Sequence, residues 1–239
     1  MTLPVRHALL LLLATAVAVA TGRPFFPALL GVSSLLASVV ALRRSDPHFQ
    51  PLSAANGVTL ARVAASLAVL APGLSSSQAA LLVLVCLGLD AVDGPLARRF
   101  GTTSPLSAAF DMEADALLVL FSALRLFPVS TGLVLVAGLL RPLYAVLLAL
   151  FPGARGEAPR STFGRFVFAI VVLSHVASLA GGPALSRFLL PLSTLLLCHS
   201  FGRSAWWSFF GPRAFTTGVD GGIAPNQTRA SRPPLESPR

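Results

Sequence analysis

Eight apolar runs, each near the length a helix needs to cross a bilayer, dominate this chain. They cover residues 7–21, 25–42, 56–72, 76–93, 108–127, 130–150, 163–180 and 184–203. About 20 apolar residues span the hydrocarbon core as a helix. Leu, Ala and Val fill the runs, and Gly, Pro and Ser separate them, as at Ala71-Pro72-Gly73 and Gly181-Gly182-Pro183. Lipid offers the backbone no hydrogen bonds, so a continuous apolar run must satisfy its own as a helix. A transmembrane β-barrel would show short alternating segments instead. The predicted fold is all-α, a polytopic transmembrane helix bundle with eight spans.

Charge supports this reading. Only 11% of the residues are charged, against 54% hydrophobic. Soluble domains carry about 25% charge, and disordered chains are polar; both classes are excluded. All 18 basic residues are arginine, and the net charge is +9. No soluble basic domain is visible, so nucleic acid is not an expected partner. Arginine in short loops sets orientation instead. The N-terminus, alternate loops and C-terminal side hold Arg6, Arg43, Arg44, Arg98, Arg99, Arg155, Arg160, Arg165, Arg203, Arg213, Arg229, Arg232 and Arg239. The other side holds Arg23, Arg125 and Arg187. Both termini and the loop at 94–107 are therefore expected in the cytoplasm. Membrane lipids are the expected surroundings.

Residues 1–50 form two N-terminal spans. Arg6, the apolar run 8–17 and Ala18-Val19-Ala20 also fit a cleavable signal peptide. Residues 206–239, rich in Pro, Gly, Ser and Arg, read as a cytoplasmic disordered tail. Trp206, Trp207, Phe209 and Phe210 at its start read as an interfacial aromatic anchor. Cys86 and Cys198 lie in separate runs and suggest neither a disulfide nor a zinc site.

The scarce acid is bunched. Of nine acidic residues, Asp90, Asp93, Asp111, Glu113 and Asp115 fall within one short segment. Asp90 and Asp93 share a face at the end of one helix, and Asp111 and Asp115 share a face at the start of the next. Two neighbouring antiparallel helices can bring these four carboxylates together. They cannot all stay ionised without a compensating charge, and hard oxygen donors suit Mg²⁺ or Mn²⁺. Gly94 lets a ligand approach the backbone, and Arg98 offers a planar fork for phosphate. Glu113 is offset from both aspartates and is expected to be solvated at the interface.

At these residues the chain resembles the CDP-alcohol phosphatidyltransferase family, whose signature reads D-x2-D-G-x2-A-R-x8-G-x3-D-x3-D. Asp90, Asp93, Gly94, Ala97, Arg98, Asp111 and Asp115 match in register, and Ser107 stands where the family has glycine. Asn56, Thr59 and Arg62 resemble the N-x2-T-x2-R pattern that often opens the first core helix. The resemblance implies a six-helix core over residues 51–205, with the two leading spans as additions. It implies attack by an alcohol acceptor on a CDP-linked lipid, usually CDP-diacylglycerol, with release of CMP.

By the same resemblance, Asp90, Asp93, Asp111 and Asp115 hold two divalent ions, and Asp115 is the general base. Gly94, Ala97, Arg98, Asn56 and Thr59 line the CDP site. A homodimer in the cell membrane, as in a bacterial inner membrane, is implied, with the active site facing the cytoplasm. Enzymes of the family that act on glycerol 3-phosphate often have lysine after the fourth aspartate; this chain has Ala116, which weakens that acceptor.

Arg62 and Arg141 are candidates for an acceptor or phosphate site, because a charge within a span usually faces a cavity or partner; Arg160, in a loop on the catalytic side, is a third candidate. His175 and His199 read as structural, hydrogen-bonded groups. Rival readings are an aspartate-rich membrane prenyltransferase, a divalent-cation transporter and a catalytically inactive CDP-lipid-binding relative. The first would place its motifs far apart, and the second would place its acids near the midplane.

Overall fold

In a computed structural model of the chain, residues 3–46, 48–50, 53–99, 104–130, 132–151 and 162–210 are described, with 93–99 as backbone only. These residues form eight α-helices: α1 (Leu3–Thr21), α2 (Phe25–Leu42), α3 (Ala54–Ala68), α4 (Ser76–Arg99), α5 (Pro105–Leu126), α6 (Leu133–Leu150), α7 (Thr162–Gly181) and α8 (Pro183–Phe210). Single 3-10 turns, Arg43–Ser45 and Phe127–Val129, follow α2 and α5. The architecture is all-helical, as the apolar runs imply.

Four segments are long and apolar enough to cross a membrane: Phe25–Ser45, Leu133–Leu150, Thr162–Gly181 and Pro183–Phe210. Val5–Thr21 and Ser76–Val92 are shorter apolar stretches.

The helix ends follow local chemistry. The run expected to reach residue 72 stops at Ala68. Pro72 disfavours helical backbone at the residue before it, and Gly73 turns the chain at φ 82°, a conformation only glycine adopts freely. At the other extreme, α8 continues past residue 205, so the first five residues of the expected tail are helical. No Gly or Pro falls between Arg203 and Phe210. There Trp206 packs on Phe210 at 4.5 Å, and Phe209 meets Phe151 edge-on at 5.6 Å. The remainder of the tail, from residue 211, lies outside the described residues. So does the link at 152–161.

Helix α5 is the axis of the bundle. All its residues from Leu117 to Leu124 are buried. Two apolar clusters meet on it. One gathers Val83, Leu118, Val134, Val171 and Leu190, and the other gathers Leu11, Val32, Val63, Leu117 and Phe121. The second cluster docks α1 and α2 onto the rest. Between helices in lipid there is no hydrophobic driving force, so close packing matters. Gly138 of α6 shows it: a Cβ there would sit 2.8 Å from the Leu120 Cα.

Outside, the surface is apolar. Phe188, Leu192 and Leu195 are 78%, 68% and 66% exposed. In water such a patch would be an aggregation hazard; facing lipid it is an ordinary helix exterior. The long apolar helices and this exterior make the chain a multi-pass membrane protein.

Candidate active site

The site begins at the first turn of α3. Ser53 caps it, its hydroxyl accepting from the Asn56 N–H at 3.3 Å. This cap satisfies one of the helix's open donors and sets the face on which Asn56, Thr59 and Arg62 stand. All three are buried, at 3%, 3% and 1% exposure. Thr59 donates to the Ala55 carbonyl at 3.2 Å, and Asn56 donates to the Gln50 carbonyl at 2.7 Å.

Arg62 is the hub. It donates to Asp111 at 2.7 Å, lies 3.1 Å from Asp90 and also pairs with Asp115. Its own carbonyl accepts from Ser66 at 2.7 Å and from Cys86 at 3.8 Å. The second contact fixes α3 against α4. Thus α3 lies between α4 and α5, which meet only slightly themselves. The sequence suggested two helices facing each other directly; a third helix joins them.

The start of α5 is fixed as firmly. Ser104 caps it by accepting from the Ser107 N–H at 3.1 Å, and Pro105 opens the first turn. Asp46, from the link between α2 and α3, accepts from the Leu106 N–H at 3.0 Å. That bond is the main cause holding the Asp46 carboxyl below its ordinary range; burial opposes it, and donation from Ser104 and His48 adds to it. Ser107 accepts from the Asn56 side chain at 3.2 Å. The residue that departs from the family glycine therefore bonds directly to another site residue.

Among the described residues, three carboxylates crowd round one guanidinium. Asp90, Asp111 and Asp115 each offer a carboxylate oxygen within 4.8 Å of the others. Their side chains are 30%, 20% and 20% exposed, whereas Arg62 is sealed beneath them. Hard oxygens, three crowded carboxylates and access from outside fit a Mg²⁺-like divalent cation. The side chains of Asp93, Gly94, Ala97 and Arg98, and all of Arg160, lie outside the described residues. The α4 backbone does continue as a helix through these motif positions to Arg99.

Glu113 departs from expectation. Partly exposed like Asp111 and Asp115, it is also paired: its carboxylate accepts from Arg141 Nε at 3.0 Å and from a terminal nitrogen at 2.6 Å. His7 Nε2 lies 4.0 Å away, and His7 Nδ1 is 2.5 Å from the Ser34 hydroxyl. A second polar cluster thus joins α1, α2, α5 and α6 on another face of α5. Arg141 stands in this cluster. No local pattern announces it, since the partners are far apart in sequence; the cost of an unpaired arginine within a span was the only signal. Asp46 was missed for the same reason. His175 is fully buried and shares a 2.7 Å bond with Ser122, while His199 meets Phe163 edge-on at 6.2 Å.

Among known proteins, no curated protein and no solved structure matches this chain. A family model does: CDP-alcohol phosphatidyltransferase, over residues 52–207. That region holds Arg62 and every carboxylate of the cluster, and the protein belongs to the CDP-alcohol phosphatidyltransferase family.

Proposed function

We propose that the protein transfers a phosphatidyl group from CDP-diacylglycerol to an alcohol and releases CMP, at the cytoplasmic face of the membrane. The observation that carries this is the gathering of Asp90, Asp111 and Asp115 around Arg62. Asp90, Asp93, Asp111 and Asp115 would hold the divalent cations that neutralise the pyrophosphate and make CMP a better leaving group.

The chain's own residues do the rest. Asp115 takes the proton of the acceptor hydroxyl as its oxygen attacks the phosphatidyl phosphorus. The bond from that phosphorus to the bridging oxygen breaks, and CMP departs with the electron pair. Gly94 and Ala97 leave room for the cytidine diphosphate beside α4, and Arg98 meets its phosphates. Asn56 and Thr59 wall the same end of α3. Arg62 acts from below: its fork holds Asp111 and Asp115 in register, so that Asp115 presents an oxygen outward.

The test is CMP release by purified protein with Mg²⁺ and CDP-diacylglycerol, across a panel of alcohols that includes serine, inositol phosphate and glycerol 3-phosphate. Asp115→Asn should abolish turnover while retaining CDP-lipid binding. Wild-type turnover by that variant would remove Asp115 from the base role. Binding without product from any alcohol would instead favour an inactive CDP-lipid-binding relative.

A further inference from the structure

A second site lies at the end of the bundle opposite the aspartates. A cavity of about 430 Å³ opens there between the α1–α2, α5–α6 and α7–α8 turns. This volume falls within the range of ligand sites. Its polar members are Ser76, Arg125 and Ser178, and the remainder is glycine, proline and leucine, including Gly22, Pro24 and Pro183. Asp111 and Arg125 sit on one helix, and 14 residues at about 1.5 Å each put roughly 21 Å between them along α5. The cavity is therefore separate from the aspartate site.

Three independent features give the cavity a chemical preference. First, Arg125 is fixed at its wall, because its guanidinium donates to the Leu74 carbonyl. A guanidinium carries five N–H donors in a planar fork suited to phosphate. Second, the Ser178 hydroxyl is buried and has no hydrogen-bond partner among the described residues. A polar group buried in this way is stabilised when a ligand or water meets it.

Third, charge at this end has one sign. Arg23 lies between the lining residues Gly22 and Pro24, and Arg187 is one helical turn beyond Pro183. With Arg125, these are the arginines of this end of the chain. None of the nine acidic residues falls in the four links or helix ends here. Arginine is disfavoured on the side that carries few positive charges, so one in the cavity wall, with two more beside lining residues in sequence, calls for a ligand.

We propose that this cavity binds the phosphate of an anionic phospholipid from the leaflet at that end, with Arg125 as the contact in the wall and Arg23 and Arg187 at the rim. The leucine and proline lining favours a lipid over a free ion, because it accepts glycerol and the first acyl carbons. The assignment does not depend on the reaction at the aspartates.

The test uses the full chain in detergent with three probes: short-chain phosphatidylglycerol, short-chain phosphatidylcholine and inorganic phosphate. Native mass spectrometry and the thermal midpoint read binding. Phosphatidylglycerol should bind and raise the midpoint, the other two much less. Arg125→Gln should weaken phosphatidylglycerol at least about tenfold, the loss of a charged hydrogen bond. The double variant Arg23→Gln/Arg187→Gln changes only exposed side chains, so its folding is safe; it should weaken binding several-fold and flatten the salt dependence. Should Arg125→Gln fail to fold, the double variant decides alone. Unchanged phosphatidylglycerol affinity in the folded variants overturns the site. Equal binding of phosphatidylcholine overturns its charge preference, and equal binding of inorganic phosphate overturns the lipid assignment. Asp115→Asn should leave phosphatidylglycerol binding unchanged, which separates this site from the aspartates.

Discussion

Arg62 and Asp111 are joined across 2.7 Å, and the bond ties α3 to α5 at the level of the carboxylates. Because Arg62 is sealed and its partners are partly exposed, the guanidinium is a fixed internal counter-charge beneath a reachable acidic surface. Replacing it by Met removes the guanidinium that all three crowded carboxylates share. Arg62→Met should lower stability by about 3 kcal/mol and abolish CMP release. Arg62→Lys keeps the charge without the fork and should fall between. Thermal unfolding in detergent, read beside turnover, checks both.

The same crowding predicts the metal response. Asp90→Asn and Asp111→Asn each remove a negative charge and a hard donor. The Mg²⁺ concentration for half-maximal turnover should rise at least about tenfold in each variant, and chelation should silence the wild type. A titration with an unmoved midpoint would remove that residue from the metal set.

Ser107 makes a local prediction. Its hydroxyl accepts from Asn56 at 3.2 Å. Ser107→Ala leaves the Asn56 amide short of a partner and should cost about 1 kcal/mol. Ser107→Gly restores the family residue but adds a glycine penalty of about 1 kcal/mol within a helix. Gly should therefore be the less stable of the two. Any gain in turnover by Gly would identify Ser107 as a restraint on the pocket.

Asp46 carries the pH dependence. Its folded pKa lies below the ordinary carboxylate value, chiefly because it accepts from the Leu106 N–H. A depressed carboxyl stabilises the fold above the unfolded pKa of about 3.9 and loses that contribution as pH falls through the folded value. Wild-type stability should thus fall below about pH 4, and Asp46→Asn should flatten that part of the profile. Melting curves across acidic pH measure the difference.

The Glu113–Arg141 pair should be coupled. A double-mutant cycle with Glu113→Gln and Arg141→Gln should return about 1–3 kcal/mol of interaction energy. Near-additivity would show that the two side chains are held independently.

The helices were legible because bilayer length and punctuation residues act locally: Pro72 and Gly73 follow α3, and Gly181-Gly182-Pro183 separates α7 from α8. The carboxylates were legible because their three- and four-residue spacings put them on helix faces. Arg62 was legible as a costly charge but not as their counter-charge, since its partners come from two other helices. Asp46 to Leu106 and Glu113 to Arg141 were invisible for the same reason. Each is a meeting of distant segments whose geometry depends on how the helices pack. The end of α8 could have been read, because no Gly or Pro falls between Arg203 and Gly211-Pro212.

The cluster of His7, Ser34, Glu113 and Arg141 bears on the order of synthesis. His7 and Ser34 lie on the first two helices, whereas Glu113 and Arg141 lie on the fifth and sixth. At about 5–20 residues per second, some 5–20 s pass before Glu113 follows His7 out of the ribosome. During that interval the first hairpin must rest in the bilayer with the His7–Ser34 bond joining its two helices and His7 Nε2 still without Glu113. The bundle is therefore closed late, when α5 and α6 arrive to engage a hairpin already waiting for them.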